Sequence, residues 1–489
     1  MNLIVDPWIP AVRPDGTRAL FSLREIFRQA DTLRDLSVRP HERIALMRLL
    51  ICITQAALDG PEDQDALENC GDQIQPAVEK YLRKWEAGFK LYDEKQPFLQ
   101  VPDLVPGKEK TEANPLTKLD LALATGNNTT LFDNMAGDIR LVTSQRAALN
   151  LLTFQCFSPG GRIGVARWNG HETPGNGSSN HAPCLPSAML HALVIGDHLL
   201  STIYRNLLSR QQVVDAFGFN KWGVPIWEQP VLNLNDEAAV QNASGTYLGR
   251  LVPMSRAIRI HPDGHSMILA NGLNYPIFPA FREPTATVIR RKDELALLPT
   301  STGRSIWRQL SAVTVKRVAA TDSVSGPLAM ANVDQSRDCT LWAGALVTEK
   351  AKIEDLVESV YSVPGTLFTE IGRAAYEKAV QYAEAAESAA IQAVKIYSVS
   401  LNVASPGYDR ARSAFWTLVE QNLSALFEVA RVQIPPAQLP GCGWGRSVHA
   451  AAVQAYEHAC PRQTPRQIQA YAAGLRRLHA HFASTKHNV

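Results

Sequence analysis

The sequence lacks an excess of charge of either sign. Its 489 residues carry 49 Lys and Arg against 47 Asp and Glu, a formal net charge of +2. A free-standing nucleic-acid binder has a clear basic excess, so any such role must rest on local patches or on partner subunits. Cysteine pairs at metal-ligand spacing are missing too. Cys52, Cys70, Cys156, Cys184, Cys339, Cys442 and Cys460 are scattered, odd in number and never spaced as CxxC. That argues against a disulfide framework or a structural zinc site and for a reducing compartment. There is no long apolar run. "IALMRLLICITQAAL" is interrupted by Arg48 and Gln55 and is too short to span a bilayer. The opening "MNLIVDPWIP" has no basic region and no apolar stretch of signal-peptide length. A soluble cytoplasmic protein with no membrane partner is expected.

Motifs of familiar chemistry are equally scarce. The chain contains no G-x-S-x-G, no HExxH and no G-x-x-x-x-G-K-[ST]; "PGK" at 106–108 runs into Glu109. His171, His181, His191 and His198 are the best metal candidates. A helix predicted over 186–209 puts His191 and His198 on one face. Two partly buried histidines are the preferred reading, because a zinc site brings cysteines or histidines at i, i+4. No cofactor, metal or catalytic residue is assigned. An enzyme with the His/Asn-rich loop 166–181 over a pocket stays as an alternative.

What is present fits an ordinary globular chain, with 45 % hydrophobic and 20 % charged residues. The fold class expected is α+β, with a large mixed α/β domain over 1–348 and an antiparallel four-helix bundle over 349–489. Helices are predicted at 42–58 with Gly60 as C-cap, 76–87 and 143–157. Four more, at 352–361, 366–399, 406–431 and 446–482 with a break near Pro461, build the bundle. Residues 246–292 read as β-structure. There "RAIRI" and "SMILA" flank "HPDGH", where Pro262 presets φ and Gly264 tolerates positive φ, a hairpin signal.

"SPGGRIG" at 158–164 places two glycines beside an arginine. A phosphate cradle follows a strand and opens a helix. Gly160 and Gly161 instead follow the helix 143–157, at the end where the macrodipole repels phosphate. Local sequence favours a helix stop and a turn.

The order of several stretches adds a further reading. "LIVDPWIPAV" at the start, "KQPFLQ" at 95–100, "TTLFDNMAGD" at 129–138, then a helix, a glycine loop and a helical C-terminus follow one another. This order resembles the CasA large-subunit family of the type I-E CRISPR surveillance complex, Cascade, over nearly the whole chain. The resemblance implies a non-catalytic subunit beside the 5′ handle of the guide RNA (crRNA). It implies recognition of the protospacer-adjacent motif (PAM) in double-stranded DNA, largely from the minor groove, and help in opening the duplex. The implied partners are the guide RNA, target DNA, the backbone and small Cascade subunits, and a helicase–nuclease recruited on target binding. Guide pairing reads the sequence, so the protein needs only short-motif and backbone contacts, as in another RNA-guided class. A purely structural assembly subunit is the competing reading.

Carried onto this sequence, the resemblance implies four sites. Phe132, Asp133 and Asn134 meet the RNA handle by stacking and base-edge hydrogen bonds; an aromatic that anchors its loop to the core is the alternative. Gly160 and Gly161 lie against the PAM, where a missing Cβ lets backbone approach a groove, with Arg162 at a phosphate. In "LAMANVDQSRDCTLW", 328–342, Gln335 matches a wedge that splits the first target base pair, with Asn332 and Asp334 beside it. That loop is shorter than in some relatives, and an ordinary polar turn is the alternative. Where some relatives place a PAM-contacting lysine, this chain has His265, with Arg259 on the same hairpin as a substitute. Basic clusters at Arg290, Arg291 and Lys292, at Arg304 and Arg308, and at Arg410, Arg412, Arg476 and Arg477 would line a backbone or displaced-strand path by phosphate neutralisation. Solvated surface is the competing reading for each.

Overall fold

The computed structural model describes residues 1–107, 113–123, 140–158, 163–173, 189–218, 220–275, 283–292, 294–316, 324–349 and 352–487. They form two compact units, residues 1–333 with 340–361, and residues 334–339 with 362–489.

The first unit is built around the helix Pro40–Leu58. Its apolar residues run all round rather than along one stripe, so the helix is buried on nearly every side. It packs against the helices Ile74–Lys84, Ser144–Phe157, Leu199–Arg205 and Tyr247–Leu251. Small antiparallel sheets surround this centre. Ile9–Val12 lies between Arg18–Phe21 and Asp35–Leu36, Ala166–Trp168 between Leu104–Pro106 and His171–Glu172, and Ser266–Asn271 between Asn114–Pro115 and Arg256–Ile260. The predicted hairpin is there, with Ile260 opposite Met267 and Gly264 at φ 72° in the turn.

The second unit centres on the 32-residue helix Glu370–Leu401, about 48 Å long at 1.5 Å per residue. Ala375, Ala379, Ala383, Ala386, Ala390 and Ala393 are buried in it at helical spacing. Small side chains let neighbouring helices come close. The helix Pro465–His487 takes advantage of this at Gly474, where a Cβ would lie 2.7 Å from the Ala393 carbonyl oxygen and 2.2 Å from the Tyr456 hydroxyl. Trp444, on the helix Gly443–Ala459, donates from Nε1 to the Ala379 carbonyl at 2.9 Å.

Three expectations fail. Residues 352–361 are not a helix but most of the strand Lys352–Val363, next to Cys339–Glu349 in a three-stranded sheet. Ile353, Val357 and Tyr361 favour extended backbone, and the pairing partner is non-local. The described part of 186–209 is the strand His191–Ile195, then the helix Leu199–Arg205. Strand pairing sets His191 opposite Gly344, while His198 caps the helix by accepting from Ser201 N, so the two histidines share no helix face. The segment 406–431 is broken into the helices Tyr408–Glu420 and Leu423–Arg431.

Candidate nucleic-acid interface

The stem of the glycine loop is the helix Ser144–Phe157. Thr143 caps its start by accepting from Arg146 N, and the helix ends at Ser158. Gln155 fixes the last turn. Its Nε2 donates to the Leu99 and Arg256 carbonyls, both at 2.9 Å, and its Oε1 accepts from Arg256 N at 2.9 Å. The Ser255 hydroxyl donates to the Gln155 carbonyl. The Arg256 side chain is fully buried; it donates from Nε to Ser158 Oγ at 3.0 Å and from Nη1 to Asn271 Oδ1 at 2.8 Å. A cation there complements the negative end of the helix dipole. The "KQPFLQ" stretch is part of the same brace. Leu99 sits at φ 52°, and Gln100 donates to the Leu91 carbonyl and accepts from Ile260 N. Gly160, Gly161 and Arg162 lie outside the described residues; the chain resumes at Ile163 and enters the strand Ala166–Trp168.

At the other end of this helix, about 21 Å away by helix rise, the structure brings three segments together. Val142 N donates to the Gly264 carbonyl at 2.8 Å, and Leu116 N to the His265 carbonyl at 2.9 Å. A Cβ on Gly264 would lie 2.9 Å from Leu141 Cδ1, so glycine serves both the turn and this contact. Phe132, Asp133 and Asn134 lie outside the described residues, but the flanks of their segment are tied together. Asp120 accepts from Arg39 at 2.7 Å and from Arg146 at 3.0 Å, and Arg146 also lies 2.7 Å from Glu42. Burial pushes the Glu42 carboxyl pKa up, against the pull of Arg39. His265 is partly exposed at the hairpin turn, and its Nδ1 has no partner among the described residues. Arg259 donates to the Asp93 carbonyl at 3.0 Å. The His265 Nδ1 is itself buried, while Arg259 is used on Asp93.

The polar stretch around Gln335 divides in two. Asn332 spends its amide inside the first unit, accepting from Gln212 at 2.6 Å and donating to the Leu207 carbonyl at 2.8 Å. Residues 334–338 are all exposed and belong to the second unit. Asp334 organises the turn by accepting from the Ser336 N–H at 2.9 Å and from its hydroxyl at 2.7 Å. Gln335 reaches the Phe368 carbonyl through a long 3.4 Å contact, and the Arg337 side chain stands 84 % exposed beside it.

The basic candidates differ in how free they are. Arg290, Arg291 and Lys292 lie on the hairpin Val288–Arg291 and Glu294–Leu297, all three exposed, with Lys292 at φ 55°. Arg304 is exposed and Arg308 half-buried. Arg410, Arg476 and Arg477 are exposed, whereas Arg412 is paired with Glu387 at 2.8 Å.

Sequence reasoning missed several residues that matter here. Gln155 and Arg256 carried no local signal, because their roles depend on contacts 101 residues apart. Arg337 is visible in "DQSRD" as the cation next to the wedge candidate. Arg462 and Arg466 were also legible, since 461–489 holds five Lys and Arg (Arg462, Arg466, Arg476, Arg477, Lys486) and no acidic residue.

The chain has well-characterised relatives in both sequence and fold. The family described as CRISPR-associated protein Cse1 matches residues 2–455. The Thermus thermophilus protein "CRISPR-associated protein CasA/Cse1" is 32 % identical over 402 residues, 78 % of this chain and 75 % of that one. The solved Cse1 of Thermobifida fusca superposes with a TM-score of 0.76 at 22 % identity, covering 99 % of this chain and 97 % of that one. A "CRISPR RNA-guided surveillance complex" chain superposes with a TM-score of 0.75 at 19 % identity, covering 98 % and 99 %. Among the described residues no helix is long and apolar enough to cross a membrane, and no group of three or more His, Cys, Asp or Glu is placed to hold a metal. The chain belongs to the CasA/Cse1 family of CRISPR-associated proteins, the large subunit of Cascade.

Proposed function

We propose that this protein is a non-catalytic subunit that recognises the PAM in double-stranded DNA, helps open the duplex for guide pairing, and recruits the helicase–nuclease. It works in the cytoplasm on a crRNA-containing complex with the backbone and small subunits. The mixed α/β body carries the handle loop, the glycine loop and the His265 hairpin, and the C-terminal helices form an antiparallel four-helix bundle. Phe132, Asp133 and Asn134 hold the RNA handle. Gly160 and Gly161 probe the groove, Arg162 meets a phosphate, and His265 donates to a minor-groove acceptor. Gln335, with Asp334, separates the first base pair. The exposed arginines and lysines neutralise phosphates along the duplex and the displaced strand.

The observation that carries this reading is the exposed polar turn at 334–337, where Gln335 is held by a long 3.4 Å contact to the Phe368 carbonyl. A side chain inserted at a base step works against a few kcal/mol of stacking, so it needs to be both free and firmly based. The reading is tested by reconstituting the complex with wild type, Gln335→Ala or Gly160→Asp and measuring binding and opening of duplexes with varied PAMs. Both variants are expected to lose duplex opening. Pre-opened, bubbled DNA restores Gln335→Ala but not Gly160→Asp. Wild-type opening by both variants would overturn the site assignment, and equal restoration would remove the distinction between wedge and reader.

A further inference from the structure

The turn at 334–338 has no secondary structure of its own, so something else must hold it in place. Two features of the second unit do so. The first is steric. A Cβ on Gly365 would lie 2.5 Å from the Gln335 carbonyl oxygen and 2.4 Å from that of Arg337. Both contacts are backbone, so no side-chain adjustment relieves them. Gly365 opens the turn Gly365–Phe368, which is itself fixed from two sides. Thr366 donates from its hydroxyl to the Ala430 carbonyl at 2.9 Å, and Thr369 donates to the Thr366 carbonyl at 2.7 Å while capping the helix Glu370–Leu401 through Gly372 N. The second feature is electrostatic. Arg431, the last residue of the helix Leu423–Arg431, grips Asp338 with both Nη atoms, at 2.8 and 2.7 Å. The paired geometry fixes direction as well as distance, and the hydrogen bonds from Arg431 hold the Asp338 carboxyl below its usual pKa.

We infer that Gly365 and the Arg431–Asp338 pair are positioning residues for duplex opening: they form a seat that holds the Gln335 turn at a fixed height against the bases. Neither touches DNA. This rests on the reading of Gln335 as the wedge, and it adds what makes a short, exposed turn stiff enough for the task. The glycine supplies close backbone apposition, and the ion pair locks the outgoing limb at 338.

The test is stopped-flow fluorescence of a 2-aminopurine at the first target position, using the assembled complex. Gly365→Ala is expected to slow opening by about a hundredfold, the scale on which a misplacement of about 1 Å acts. Arg431→Ala is expected to slow it by about threefold, in line with an exposed ion pair. Both variants should bind bubbled DNA like wild type, a readout that general damage to the subunit would also lower. Asp338→Arg combined with Arg431→Asp should recover most of the rate lost by either single change. Wild-type opening by Arg431→Ala and Gly365→Ala, with Gln335→Ala defective, overturns the seat and leaves the wedge standing. Wild-type opening by Gln335→Ala overturns the wedge itself. If Gly365→Ala does not assemble, Arg431→Ala and the charge swap decide alone.

Discussion

The two loops proposed to act on DNA are anchored in opposite ways. The glycine loop leaves a helix whose last turn is bolted down by a fully buried arginine, Arg256, and by Gln155. The turn at 334–338 rests on a glycine and an ion pair whose side chains are each nearly half exposed. A buried charged donor is costly to leave unpaired, so the first anchor is all-or-none. A solvated pair contributes little and is screened by salt, so the second can be adjusted without loss of the fold.

That contrast can be broken by mutation. Arg256→Ala leaves Ser158 and Asn271 short of a buried donor while the backbone bonds to Gln155 remain, and is expected to destabilise the first unit by about 1–3 kcal/mol for each acceptor. Hydrogen exchange should show faster opening of peptides from 144–157. Unchanged protection would mean the anchor is dispensable.

Acid should separate the units next. Burial, reinforced by Arg39 for His41, lowers the pKa of His41 to about 3, and burial lowers His191 to about 3 as well. Both histidines lie in the first unit. Each has a folded pKa below its unfolded value, so below pH 6.5 the unfolded chain binds more protons and stability falls as pH falls. Between pH 7 and pH 5 the expected loss is about 2 kcal/mol per histidine. Burial would raise the Glu283 carboxyl, but Arg48, Arg250 and His191 hold it at about 2. Its contribution is present above pH 4.5 and fades as pH falls toward 2, the same direction. Urea midpoints read by fluorescence and by exchange of first-unit peptides should drop together on acidification, and a flat profile would contradict the assignment.

Gly474→Val tests packing in the second unit, where the side chain would push the helix Pro465–His487 off Ala393; a loss of about 1–3 kcal/mol is expected by thermal melting of the full chain. The smallest effect belongs to Arg431→Ala, about 0.5 kcal/mol of stability at low salt and less at high salt. A large, salt-independent loss would make this pair resemble the buried anchor and remove the contrast.

Local signals in the sequence locate some of these elements and are blind to others. "HPDGH" between two alternating runs names its own hairpin, because turn chemistry is local. The stop after Phe157 is legible for the same reason. The strand Lys352–Val363 reads as helix because the pairing that decides it comes from a neighbouring strand. His191 falls on a predicted helix because Gly344, its partner across the sheet, is 153 residues away. "VPG" at 363–365 is visible as a breaker, but not as a seat, since the need for glycine comes from the carbonyls of 335 and 337. The same limit hides Arg256 under the glycine loop.

The order of the chain gives the turn at 334–339 a consequence for dissection by deletion. The polypeptide passes from the first unit to the second at 333/334, back at 339/340, and over again at 361/362. A protein cut short at 361/362 therefore keeps Gln335 in its sequence but loses Gly365 and Arg431. Loss of opening in such a truncation would not assign that activity to the C-terminal helices, because the cut removes the support of a residue it leaves behind. Point changes at Gly365 and Arg431 can make that assignment where removal of the helices cannot.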